Sequence, residues 1–143
     1  DTEGNVLCVI DLDTVMPSLF SSDYGDFLRT AANTVAEDSP ELDKIDFRMD
    51  IFRAFTRGYL ETAGAFLTPL EVSLLPYAAE LFPYMQCVRF LWDYVSGDHY
   101  WKCQFAEHNL VRAQNQWQLF LKAREHEAEM KEFISECTKI YSK

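Results

Sequence analysis

The sequence predicts a mainly α-helical fold with one or two short strands near its N-terminus. Apolar residues recur at helical spacing through most of the chain after residue 20, whereas residues 6–10 form a β-branched apolar run typical of a strand. The chain has 143 residues, 48% of them hydrophobic, which is enough for one packed core. We therefore expect a single domain over residues 1–143.

The first predicted element is a buried strand at Val6–Ile10. The turn-forming residues Glu3, Gly4 and Asn5 precede it. A strand needs a partner, and the only other weak strand candidate lies around Lys44–Arg48. We therefore expect this chain to be the C-terminal part of a longer protein.

Two helices are predicted next. Asp23 is placed to cap a helix that runs through Phe27 and Leu28 as far as Ala32. After an acidic linker, residues 50–61 carry apolar side chains at helical spacing, and Gly64 is expected to end that helix.

The clearest helix start in the chain is the sequence TPLE at residues 68–71. It has an N-cap hydroxyl, a proline at the first helical position and a glutamate at the third, which together predict a capping box. Pro76 and Pro83 then predict two or three helical pieces before Gly97 ends the run. A last helical stretch is expected from about Ala106 to Tyr141.

Composition narrows the classes of partner. The formal charge is −10, from 13 Lys and Arg against 23 Asp and Glu, which argues against binding to nucleic acid or to an anionic membrane and leaves a small molecule. Apolar stretches are interrupted well before the ~20 residues of a membrane span. The four cysteines are far apart, which predicts reduced thiols in a cytoplasmic protein rather than a zinc site or a disulfide framework. Oligomeric state is left open.

Two aspartates follow the predicted strand in the sequence IDLD. In extended geometry Asp11 and Asp13 project to the same side, and two carboxylates ~7 Å apart repel each other unless a cation lies between them. Magnesium, which binds carboxylate and phosphate oxygens, fits that requirement. The alternative is that one aspartate caps the next turn and the other is solvated.

Two phosphoryl-transfer chemistries use such an aspartate. The sequence DLDTV has the pattern of a haloacid-dehalogenase-type phosphatase, whereas a kinase uses a strand-end aspartate to hold magnesium on nucleotide phosphates. The rest of the chain is predicted to be helical and lacks the alternation of strands and helices found in such a phosphatase. A phosphatase is therefore the second choice, after a kinase. A non-enzymatic helical interaction module is a third possibility.

The segment IDLDTVMPSLFSSDYGDFLRTAANT resembles the end of the catalytic lobe in the aminoglycoside phosphotransferase and choline kinase superfamily. Up to about Met130 the chain is similar to the N-acetylhexosamine 1-kinase branch, whose relatives are sometimes labelled mucin-desulfating. The chain has no C-x-P-x-R sulfatase motif. The motifs that carry this resemblance are VIDLDTVMP, YGDFLRTAANTVAED, FTRGYLE, LTPLE, VRFLWDY and GDHYW.

The resemblance implies the helical C-terminal part of a protein-kinase-like catalytic lobe. The whole enzyme would transfer the γ-phosphoryl group of ATP to the anomeric hydroxyl of N-acetylglucosamine or N-acetylgalactosamine; other small-molecule kinases, acting on choline or aminoglycosides, are the near alternative. Asp11 would bind Mg²⁺, Asp13 would lie beside it and Asp26 would support the site. The catalytic aspartate of the HGDxKxxN loop is absent and is expected upstream with the ATP lobe, so this chain alone should be inactive.

Arg89, Tyr100 and Trp101 are the residues that we expect to line the sugar pocket. Arg89 lies in an apolar run, where a charged group needs a partner, and the two aromatic residues follow a helix stop, where a ring can stack on a sugar. The alternative is an ion pair between Arg89 and Asp93, with the aromatic residues closing the core.

Overall fold

Six α-helices lie in the part of the chain that the computed structural model describes, residues 2–12 and 15–141. Helix accounts for 64% of the described residues, which confirms the predicted mainly α class. The helices are α1 Ser21–Ala31, α2 Met49–Ala63, α3 Pro69–Ser73, α4 Leu75–Ser96, α5 His108–Glu125 and α6 Glu127–Tyr141, with a short 3₁₀ helix at Leu42–Lys44.

The predicted strand at Val6–Ile10 is wrong for this chain. These residues form no regular element, and their apolar side chains are exposed, at 86% for Val6 and 77% for Ile10. Within the described ranges no strand pairs with them, and a lone strand cannot satisfy its backbone groups. The weaker candidate, Lys44–Arg48, contributes an isolated bridge between Asn33 and Phe47 rather than a strand.

Helix α1 differs from the prediction at its start. Phe20, not Asp23, holds the N-cap position, and Asp23 lies in the first turn, where its charge complements the helix dipole. Gly25 allows α1 to approach α4 closely, because a Cβ there would lie 2.2 Å from a ring carbon of Phe82 and 2.7 Å from the Ala78 carbonyl oxygen.

The capping box at the start of α3 is confirmed. Glu71 N–H donates to Thr68 Oγ1 at 3.3 Å, and Thr68 N–H donates to Glu71 Oε2 at 2.7 Å. Helix α2 is also confirmed and ends before Gly64. Both helix boundaries were predictable because the residues that set them lie within one turn of each other in the sequence.

Helices α3 and α4 are the two pieces expected between residues 68 and 96. Pro76 lies in the first turn of α4 and Pro83 lies inside it, and α4 ends at Gly97, whose φ of 102° is in the left-handed region. The last predicted stretch is instead two helices, α5 and α6, separated at His126.

Two apolar clusters organise the helices. The larger one joins α1, α2, α4, α5 and α6, and Phe52 lies within it with Phe47 and Phe133 each 6.2 Å away between ring centroids. The smaller one lies between α4 and α5, where Phe90 and Ala113 are buried and Trp101 packs against them. The smaller cluster forms the base of the candidate site.

Within residues 2–12 and 15–141, none of the helices has the length and apolar character needed to cross a lipid bilayer.

Candidate binding pocket

The three residues predicted for a sugar pocket lie on one cavity. Its volume is about 310 Å³, and it lies where the second half of α4 meets the turn that follows Gly97. Arg89 reaches it from α4, and Tyr100 and Trp101 reach it from the turn. Val88 and Trp92, which were not predicted, complete the lining.

Arg89 is held by Trp101 and Gln86 rather than by the ion pair with Asp93 that was the alternative. Its guanidinium carbon lies 5.0 Å from the Trp101 ring centroid, and its Nη1 donates to Gln86 Oε1 at 3.2 Å. The alternative partner, Asp93, instead accepts hydrogen bonds from the turn. Arg89 is exposed, so its remaining N–H groups can be offered to a ligand.

The aromatic residues present ring surface to solvent. Trp92 is 65% and Tyr100 68% exposed, whereas Trp101 is half-buried. Trp101 lies 4.6 Å from Tyr100 at a steep angle and 4.8 Å from the buried ring of Phe90, between ring centroids. An exposed ring such as that of Tyr100 is suited to stacking against a flat or pyranose ligand.

A buried carboxylate fixes the backbone of this turn. Asp93 is fully buried, and its Oδ1 accepts the N–H groups of His99 at 3.0 Å and Tyr100 at 2.9 Å. Its Oδ2 accepts the N–H of Trp101 at 3.0 Å. This role was not predicted; its signal in the sequence is an aspartate inside the apolar run FLWDYV, where a buried carboxylate needs several hydrogen-bond donors.

Asn109 connects this carboxylate to α5. Its Nδ2 donates to Asp93 Oδ2 and to Asp98 Oδ1, both at 2.9 Å. Arg112 Nη1 donates to Asn109 Oδ1 at 3.2 Å, and the Arg112 guanidinium carbon lies 5.4 Å from the Phe90 ring centroid. Asn109 and Arg112 were not predicted, because no local pattern marks them.

The donors around Asp93 set its protonation. Burial alone would raise the pKa of the Asp93 carboxyl, but the backbone N–H groups of Trp101, Tyr100 and His99 outweigh burial and hold that pKa below its usual range. The Asp93 side chain is therefore ionised at neutral pH.

This lowered pKa predicts a loss of stability in acid. Because the folded pKa lies below the unfolded value of about 4, Asp93 contributes stability above that value and loses it as the pH falls through the folded pKa. The urea midpoint, followed by circular dichroism, should fall between about pH 5 and pH 2, and less steeply in Asp93→Asn than in the wild type. The matched control is Asp43→Asn, a change at an exposed carboxylate that should leave the slope unchanged. Parallel slopes in all three proteins would contradict this assignment.

Asp11, one of the two predicted metal ligands, is not joined to the cavity by any contact among the described residues. Asp11 is exposed with a φ of 62°, and Asp13 lies outside the described residues. Over residues 2–12 and 15–141 no group of three or more His, Cys, Asp or Glu side chains could hold a metal ion. One or two carboxylates with nucleotide phosphates suffice for magnesium, so Asp11 has the chemistry of a ligand.

Asp26, expected to support the site, is exposed on α1. Its Oδ1 accepts a hydrogen bond from Arg29 Nε at 2.8 Å, and Arg29 also pairs with Glu37. Among the described residues, no hydrogen bond or ion pair joins Asp26 or Asp11 to the cavity lining.

The groups that line the cavity are of the kinds that bind a small molecule. Its lining offers a guanidinium, three aromatic rings and an aliphatic side chain, which suit a small ring with polar substituents. No protein-family model matches the chain.

Proposed function

We propose that this chain is the C-terminal part of a sugar kinase whose cavity between α4 and the turn binds an N-acetylhexosamine. The supporting observation is that Arg89, Tyr100 and Trp101, selected through the resemblance, line one cavity of suitable size. In this proposal the chain itself would bind sugar without catalysing phosphoryl transfer, because the catalytic aspartate and the ATP lobe would lie in preceding sequence.

Each lining group has a task in this proposal. The exposed ring of Tyr100 stacks on the pyranose ring, and Trp101 lies edge-on beside Tyr100. Arg89, held over the Trp101 ring, donates hydrogen bonds to hydroxyl or acetamido oxygens of the sugar. Such contacts fix the position of the anomeric hydroxyl, and positioning supplies much of the catalysis in phosphoryl transfer.

Magnesium and ATP complete the proposal. Asp11, with Asp13 beside it, would hold Mg²⁺, which neutralises phosphate charge when bound. Since Asp11 has no described link to the cavity, the proposal requires the preceding polypeptide to bring residues 6–12 toward it. In this proposal the partners are a small sugar and ATP rather than nucleic acid or membrane, and the enzyme acts in the cytoplasm.

Two other classes have less support. A choline or aminoglycoside kinase would share the magnesium site, but an aromatic wall beside an arginine suits a neutral sugar better than a cation. A haloacid-dehalogenase-type phosphatase would use Asp11 as nucleophile at the end of a parallel sheet, and the described residues contain no sheet.

Asp11 provides the test of catalysis. In the complete gene product, Asp11→Asn should lower magnesium-dependent ATP consumption with N-acetylglucosamine roughly a hundredfold or more, because a lost metal ligand removes transition-state charge stabilisation. Asp43→Asn, at an exposed carboxylate, is the matched control and should retain full activity.

Three outcomes would decide against the proposal. The first is that the complete gene product phosphorylates no amino sugar. The second is that the roughly 30 codons before Asp1 hold no HGDxKxxN motif. The third is a phosphoaspartate trapped at Asp11, which would support the phosphatase instead.

A further inference from the structure

The turn between α4 and α5 has few backbone hydrogen bonds of its own. Gly97 and Asp98 both have positive φ, at 102° and 58°, and their N–H groups return to α4 at Tyr94 and Asp93. The next N–H groups, at residues 99–101, donate to the Asp93 side chain. The conformation of residues 99–101 therefore depends on one carboxylate from the preceding helix.

We infer that Asp93 and Asn109 are positioning residues for the cavity: they fix the turn so that Tyr100 and Trp101 present their rings beside Arg89. Neither Asp93 nor Asn109 lines the cavity, so each would act on a ligand through the turn. That the ligand is a sugar depends on the proposed function, whereas the control of the turn does not.

Asn109 is needed because Asp93 and Asp98 are negatively charged and close together. The Nδ2 group of Asn109 donates to both carboxylates, and Arg112 donates to its Oδ1, which fixes the orientation of the amide. This arrangement links α5 to the turn through hydrogen bonds with charged partners, which are stronger than neutral ones.

The backbone and the ring of Trp101 are fixed by different groups. Its N–H is bound by Asp93, while its ring packs on Phe90, and the Arg112 guanidinium carbon lies 5.4 Å from the same Phe90 ring centroid. Arg89 lies over the Trp101 ring at 5.0 Å, so a movement of the turn would also displace the guanidinium that lines the cavity. Losing the Asp93 contacts should therefore change the cavity without removing Phe90 from the core.

The main test is Asp93→Asn in the 143-residue chain. The amide keeps the size of the side chain but replaces an acceptor oxygen with a donor. The three backbone N–H groups of residues 99–101 then share one acceptor oxygen instead of two. We expect the dissociation constant for N-acetylglucosamine, measured by calorimetry, to rise roughly tenfold or more. Asp93→Glu, which retains the charge, should recover part of that loss, and Asp43→Asn should bind as the wild type does.

A second measurement does not need the sugar. In nitrogen-15 NMR spectra, Asp93→Asn should shift the amides of residues 99–101 and the indole N–H of Trp101, and accelerate hydrogen exchange at those amides. The indole of Trp117, on α5 and packed on Tyr84 and Phe120, should not move and serves as the internal control.

The outcomes separate this inference from the proposed function. If the wild type binds no sugar, but Asp93→Asn shifts the Trp101 signals and leaves the Trp117 indole unchanged, the sugar pocket is refuted and control of the turn stands. Unchanged signals at residues 99–101 would overturn the inference, and so would equal shifts at Trp101 and Trp117, which indicate a general loss of structure. If Asp93→Asn does not fold, Asn109→Ser, which leaves the carboxylate in place, is judged by the same signals.

Discussion

Replacing Phe52 with alanine should lower the free energy of unfolding by about 3–5 kcal/mol. Phe52 is fully buried on α2, and its ring lies between Phe47 and Phe133, so three separate segments lose contacts at once. Urea unfolding followed by far-ultraviolet circular dichroism measures the change. If the whole chain is less stable than this loss, the variant should lack helical signal altogether.

Phe66→Ala is the control for this prediction. Phe66 lies after α2 and is 74% exposed, so the same chemical change should alter stability by about 0.5 kcal/mol or less. Similar losses in the two variants would show that Phe52 is not in the centre of the larger apolar cluster. Because Phe90 and Trp101 belong to the smaller cluster, a well-folded core does not by itself guarantee an ordered cavity.

The helices were predictable where their ends carry local chemistry. The TPLE capping box and Gly97 place two boundaries correctly, because a cap depends on residues within one turn. The break at His126 was missed, since neither glycine nor proline marks it. The strand at Val6–Ile10 was wrong because pairing is not local: its composition suits a sheet, but within the described residues no partner strand is present.

The residues of the candidate site also differ in whether local sequence marks them. Arg89, Tyr100 and Trp101 were selected through the family resemblance; a cation in an apolar run and aromatic residues after a helix stop gave partial support from the sequence itself. Asn109 could not be selected, since its contact with Asp93 spans 16 residues and joins two helices. The placement of Asp11 near the cavity stays a prediction.

The exposed segment before α1 leads to the second large effect. Residues 6–12 carry five large apolar side chains that are 59–86% exposed, and Cys8 lies among them, also exposed. Continuous exposure of this kind is typical of a surface that pairs with further polypeptide. In the complete gene product, where the proposed kinase would supply a partner strand, residues 6–10 should become the buried strand that their composition predicts.

Cys8 reports this change directly. In the 143-residue chain an aromatic disulfide reagent should modify Cys8 at least roughly a hundredfold faster than Cys87 and Cys137, because burial protects those two thiols and raises their pKa. Cys8→Ser should abolish the fast phase. In the complete gene product the fast phase should disappear without that substitution, since strand pairing covers the thiol. A fast phase of equal rate in both proteins would mean that residues 6–12 remain unpaired, and Asp11 would then have no strand to hold it beside the sugar cavity.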